Sequence, residues 1–161
     1  RRSSAASVPT PERVRAGPAR GDTVAVVGLP VQITFDCHDA DAMAEFWATA
    51  LDYRLQAPPD GFDSWEVFLE ANGIPVPPAG SISAVVDPEG SGPRLLFLRV
   101  PEDKTVKNRV HLDVQVGDDE RKLAKVVQLV EAGGTEVERV DEHGGWWIVM
   151  RDPEGNEFCV T

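Results

Sequence analysis

The stretch Asn108–Val116, NRVHLDVQV, decides how the rest of the chain is read. Val110, Leu112, Val114 and Val116 share one parity, while His111, Asp113 and Gln115 share the other. Successive side chains of a β-strand project to opposite faces, so this pattern predicts a strand that buries its aliphatic side and shows an imidazole, a carboxylate and an amide on an open one. A matching strand, VQITFD at Val31–Asp36, puts Val31, Ile33 and Phe35 on one side and Gln32, Thr34 and Asp36 on the other. Two such halves facing one another would enclose a cleft lined by the polar parity of both.

Working outward, each strand is followed by the same kind of punctuation. Asp39 suits a helix N-cap, and Met43, Phe46, Trp47, Ala50 and Leu51 then recur at helical spacing. A short strand is expected over Asp52–Gln56, and the stretch Pro58–Gly80 reads as an insertion able to cover the mouth of a cleft. It holds a short helix over Asp63–Ala71, and its aromatics Phe62, Trp65 and Phe68 fit packing better than ligand contact. Strands at Ser81–Val86 and Leu95–Val100 join through Asp87-Pro88-Glu89-Gly90, and a polar link runs from Pro101 to Arg109. The second half repeats the order. Asp118 or Asp119 caps a helix with Leu123, Val126, Val127 and Val130 as its apolar stripe, and Gly133 and Gly134 end it. Strands are expected over Thr135–Val140, Trp146–Arg151 and Glu157–Thr161, the last two joined by Asp152-Pro153-Glu154-Gly155. The same turn tetrapeptide at the same place in both halves predicts an α+β domain over residues 30–161, built of two βαβββ modules at residues 30–103 and 108–161. Residues 1–29, rich in Arg, Ala, Ser, Pro and Gly, read as a flexible N-terminal arm.

Composition narrows the function classes. A net charge of −11 lacks the clustered cations that nucleic acid requires and would tolerate a cationic ligand. No apolar run is long enough to span a bilayer, and Val24–Leu29 is too short for a signal-peptide core, so a cytoplasmic protein is expected. Cys37 and Cys159 are too few for a disulfide framework and fall on opposite faces of their strands, so both are expected as free thiols.

The segments QITFDCHDADAMAEFWATALDY, DPEGSGPRLLFLRVPEDKTVKNRVHLDV and RDPEGNEFCV together resemble the vicinal oxygen chelate superfamily, the glyoxalase and bleomycin-resistance fold, and most closely its glyoxalase-like domain proteins. The resemblance covers nearly everything after Leu29. It implies paired modules curling around a cleft, often a homodimer, and in metal-using members four side chains around a divalent ion. Those come from the first and last strand of each module. The matching positions here are Gln32 and His111 on the first strands, Leu98 (or Phe97) and Cys159 on the last ones. The family's carboxylates are missing from both of these last-strand positions.

The candidate ligand-binding cleft is therefore Gln32, Thr34, Asp36, His111, Asp113, Cys159 and one of the consecutive pair Trp146 and Trp147, which must point to opposite faces. Gln32, His111 and Cys159 are weak candidates for a mixed metal set, with Asp113 or Glu157 as a neighbouring carboxylate. No cofactor is expected, and any divalent metal would be weakly bound. His111 and Cys159 also admit a thiolate-nucleophile reading, set against a buried small hydrophobe for Cys159 and a hydrogen-bonded lining residue for His111. Arg109 is placed to pair with a carboxylate in the junction. Two functions follow: a small-molecule-binding protein with a degenerate metal site, or a metal-dependent lyase, isomerase or dioxygenase-like enzyme.

Overall fold

A computed structural model describes residues 29–161, so the expected arm at residues 1–29 lies almost wholly outside the described residues. Two four-stranded mixed sheets and three helices make up the rest. Module one runs β1 (Gln32–Cys37), α1 (Ala40–Leu51), β2 (Arg54–Leu55), α2 (Trp65–Ala71), β3 (Ile82–Val86) and β4 (Arg94–Arg99). Module two runs β5 (Asp113–Val114), α3 (Asp119–Glu131), β6 (Thr135–Glu142), β7 (Gly145–Arg151) and β8 (Glu157–Val160). The sheet orders β1-β4-β3-β2 and β5-β8-β7-β6 are the same, each with its first strand parallel to its last and at an edge. The expected α+β duplication is what the chain forms.

Local chemistry sets the element ends. Asp39 and Asp118 accept from the N–H groups of Ala42 and Arg121, which settles Asp118 over Asp119 as the second cap. In the two Asp-Pro-Glu-Gly turns the glycine N–H returns to the aspartate carbonyl, at 3.1 Å from Gly90 to Asp87 and 2.9 Å from Gly155 to Asp152. Both glycines take positive φ, the left-handed region that β-carbon sterics deny most residues.

Packing goes through α1. Its Phe46 and Trp47 meet Phe158 of β8 at ring-centroid distances of 5.8 and 5.2 Å, while Trp47 also lies 5.0 Å from Phe35 of β1. The apolar faces of both sheets thus converge on one helix and share one core, with Phe97, Leu95, Val85, Met150, Ile148 and Val160 around it. Polar links span the same seam. Glu154 accepts the backbone N–H groups of His38 and Asp39 at 2.7–2.9 Å, and the Trp47 indole donates to buried Asp152 at 3.3 Å. Lys125 on α3 donates to Thr49 O and Asp52 at the far end of α1.

Several sequence expectations need correction. The strand expected over Asn108–Val116 is regular only at Asp113–Val114, although Cys159 N–H to Leu112 O and Val116 N–H to Thr161 O extend the pairing. Val110 is 80% exposed and Val31 68% exposed, because both precede the point at which their strands pair with the sheet. On α3 the buried residues are Lys122, Val126 and Leu129, and Leu123, Val127 and Val130 face outward. The expected stripe is rotated by about one residue, because Lys122 buries its aliphatic stem and carries its ammonium to Trp146 O at 2.7 Å. The aromatics of the insertion pack as expected, Phe68 edge-on against both Phe62 and Trp65. Cys37 and Cys159 are both free and buried, Cys37 on the helix side of its sheet.

Candidate functional site

Both apolar faces pack against α1, and the polar parity of each sheet lies on the side away from it. Gln32, Thr34 and Asp36 are exposed on the open face of sheet one; His111 and Asp113 are exposed on that of sheet two. The candidate cleft residues therefore fall into two groups within one chain.

In module two, His111, Asp113 and Cys159 come together, with ligand-type atoms all within 4.8 Å of one another. Asp113 and Cys159 are direct partners across the parallel β5–β8 pair, and His111 Nε2 reaches Asp113 Oδ1 at 3.5 Å. Burial, reinforced by the Asp113 carboxylate, pushes the Cys159 thiol up to about 11. At neutral pH it is a protonated thiol that hydrogen-bonds Asp113, which makes it a poor nucleophile and a poor soft ligand. Val149 of β7 stands opposite Cys159, so Trp147, two residues away on the same parity, lines this open face. Trp146 takes the other parity with Ile148 and Met150. It packs on the core between Lys122 and Arg139, whose charged groups lie 3.9 and 4.0 Å from its ring centroid. Glu157 belongs to the junction instead: it accepts from Asn108 N–H at 3.0 Å and pairs with Lys104 at 3.0 Å, which holds its carboxyl down at about 2. Lys104, not Arg109, thus provides the junction ion pair.

Register corrects the module-one position. Asp113 faces Cys159, and the equivalent residue of β1, Thr34, faces Leu96. The counterpart of Cys159 is therefore Leu96 rather than Leu98, which faces Asp36. Beside Leu96 stands a residue that sequence reasoning does not single out. Arg94, opposite Gln32, donates from Nη1 to Gln32 Oε1 at 2.5 Å and from Nε to Gln56 Oε1 at 2.7 Å. The Gln32 amide nitrogen in turn donates to Thr34 Oγ1 at 3.4 Å. An arginine immediately before the expected strand Leu95–Val100 is the available signal, and Gln56 cannot be linked to it without the β2–β3–β4 register.

A cavity of about 690 Å³ is an open groove between the end of α1, β5 and α3. It touches Asp113 but none of the other candidate cleft residues. No helix among the described residues is long and apolar enough to cross a membrane.

Comparison with known proteins agrees with this architecture. A family model described as a glyoxalase-like domain matches residues 32–161. Among solved structures, a glyoxalase/bleomycin resistance protein/dioxygenase family enzyme from Burkholderia phytofirmans PsJN is 16% identical with a TM-score of 0.56, covering 80% of this chain and 94% of its own. A glyoxylase/bleomycin resistance protein/dioxygenase domain from Frankia sp. EAN1pec is 15% identical with a TM-score of 0.54, covering 83% and 96%. A point mutant of the fosfomycin resistance protein FosX from Listeria monocytogenes, complexed with Mn(II) and 1S,2S-dihydroxypropylphosphonic acid, is 12% identical with a TM-score of 0.56, covering 84% and 89%. Curated protein sequences give no match. At these identities the structural likeness speaks for the fold, and the family model speaks for descent: the chain belongs to the glyoxalase-like domain family of the vicinal oxygen chelate superfamily.

Proposed function

We propose that this is a small-molecule-binding member of its family that holds its ligand on the open sheet faces without a tightly bound divalent metal. The observation that carries this reading is the occupation of module one: Arg94 donates to the only oxygen that Gln32 could offer a metal, and Leu96 stands at the other ligand position. A guanidinium there supplies positive charge where a divalent cation would need negative donors. Module two keeps one imidazole, one carboxylate and a protonated thiol. That half-set does not fit a hard ion, which takes its affinity from several oxygen donors carrying enough charge to offset its dehydration.

The placement of these residues on two separate sheets bears on assembly. A second copy, bringing its module-two face against the module-one face of the first, would complete a two-sided cleft with Trp147 as one wall. We therefore propose a homodimer as the binding unit. Sedimentation equilibrium of the full chain tests it, and a monomer at micromolar concentration speaks against it.

A second reading, a metal-dependent enzyme, is favoured by the His111–Asp113–Cys159 cluster and by the Mn(II) complex of the FosX relative. The two separate in one experiment: thermal shift of chelator-treated protein against aromatic and vicinal-dioxygen compounds, with and without Mn(II), Ni(II) or Zn(II). The binding reading expects ligand-induced shifts that metal leaves unchanged. Shifts that appear only with metal would replace it with the enzyme reading.

A further inference from the structure

The chain carries 27 acidic side chains against 16 lysines and arginines, and five of those cations pair with a carboxylate among the described residues. Lys104 pairs with Glu157, Lys122 with Asp119, Lys125 with Asp52, Arg121 with Asp118 and Arg139 with Asp141. Arg94 is held by neutral acceptors instead. Half-buried on the open face of sheet one, it has no carboxylate partner among the described residues, and two glutamine oxygens hold it instead. Neutral acceptors fix the plane of a guanidinium without cancelling its charge. Of the five N–H donors such a group carries, two are engaged, and both hydrogens of Nη2 are left without a protein acceptor among the described residues.

The surroundings extend this donor set. Thr34 Oγ1 already accepts from Gln32, which leaves its O–H free to donate outward. Continued by one residue past the Val85–Leu95 pair, the register puts Arg54 in the same row as Arg94, with Val86 of β3 between them. At ordinary strand spacing the two arginines are about 10 Å apart. Leu96 and Ala84 supply an apolar floor beside them. The Trp65 indole donates to Gln56 O at 3.0 Å, so the insertion is anchored at the rim of the same network.

We propose that Arg94, oriented by Gln32 and Gln56, is an oxyanion-binding site, and that the molecule it takes is a small organic anion presenting a carboxylate or a phosphonate. This deepens the binding reading above and rests on it, since it assumes that the open face of sheet one receives a small molecule. It also reverses the expectation from composition: an acidic surface as a whole tolerates cations, while this face concentrates unneutralised guanidinium. A planar, preorganised fork favours oxyanions over neutral amides of the same shape.

The test follows the Arg94 Nε–Hε resonance of the full-length protein by NMR during titration with benzoate, with phenylphosphonate and with neutral benzamide. A saturable shift with either anion and none with benzamide is expected, and the tighter of the two names the class. Arg94→Gln should weaken the anion by about tenfold or more. Gln32→Glu and Gln56→Glu provide a second arm that leaves Arg94 in place: each puts a carboxylate on the guanidinium and should quench anion binding without loss of thermal stability. Equal response to benzamide, or anion affinity unchanged in Gln32→Glu and Gln56→Glu, overturns the site. If neutral compounds bind this face while neither anion moves Arg94, the oxyanion site is wrong and the binding reading stands. If no compound of any charge binds the face, the binding reading itself fails.

Discussion

Leu96 stands opposite Thr34 across the parallel β1–β4 pair, in the same register position that Cys159 holds opposite Asp113 across β5–β8. That equivalence locates the missing carboxylate of module one more closely than sequence spacing can. It also makes the two halves of the expected four-residue set separately testable. Cys159→Glu adds an oxygen donor beside His111 and Asp113 and should raise Mn(II) affinity by about tenfold or more by calorimetry. Cys159 is 8% exposed, so the larger side chain should cost about 1–3 kcal/mol of stability. Leu98→Glu, placed opposite Asp36, should leave metal affinity unchanged, and a gain there would return the alignment to Leu98.

Glu154 ties the modules together by accepting from the two N–H groups that precede α1. Hydrogen bonds to a charged acceptor contribute about 1.5–3 kcal/mol. Glu154→Ala is expected to lower unfolding free energy by roughly that amount in urea, with helix content retained in the native baseline. A change below about 0.5 kcal/mol would mean that the apolar contacts of Phe46 and Trp47 with Phe158 alone set the module geometry.

Acid stability has a signed contribution from Glu157. Its folded value, about 2, lies below the ordinary 4.5, because Asn108 N–H and Lys104 favour the carboxylate. A depressed carboxyl stabilises the fold above its unfolded value and loses that contribution as pH falls from about 4.5 through about 2. Asp152, raised by burial, acts with the opposite sign, since its ionisation costs stability as pH rises above the ordinary 3.8. Glu157→Gln should flatten the loss of stability on acidification below pH 4.5, as followed by tryptophan fluorescence. An acid transition identical to that of the unaltered chain would show that the Lys104–Glu157 pair is not worth more folded than unfolded.

Both thiols are raised to about 11, Cys37 by burial first and then by the Glu154 carboxylate, Cys159 by burial first and then by Asp113. Neither should react with an aromatic disulfide reagent at about pH 8 within minutes, and both should react at once in urea. Rapid modification of one thiol in the native protein would revive the nucleophile reading of Cys159.

Much of the fold is legible in the sequence because its signals are local. Strand alternation, Asp39 and Asp118 as caps, and the repeated Asp-Pro-Glu-Gly turn each report on backbone geometry within a few residues. What fails depends on partners distant in sequence. The buried side of α3 is misread because Lys122 fills a core position with its stem, and its acceptor, Trp146 O, lies 24 residues away. Val110 and Val31 continue the apolar parity past the point where a neighbouring strand exists to bury them. For the site, the parity of Gln32, Thr34, Asp36, His111 and Asp113 is readable, since it needs only the period of two. That both sheets share one core through α1 is not, since it rests on Phe46 and Trp47 packing onto Phe158 of the other module. Arg94 escapes notice for the same reason: its meaning lies in Gln32 and Gln56, which are 62 and 38 residues away.

The central claim is that no tightly held divalent ion serves this site, and elemental analysis tests it most directly. Full-length protein would be saturated with Mn(II), Ni(II) or Zn(II), exchanged into buffer with a weak chelator and measured by plasma mass spectrometry. Far less than stoichiometric metal is expected in every case, with Arg94→Gln no better than the unaltered chain because Leu96 still contributes no donor. Retention of a stoichiometric ion by the unaltered chain, lost on His111→Ala, would contradict the account and establish a metal centre on the His111 face.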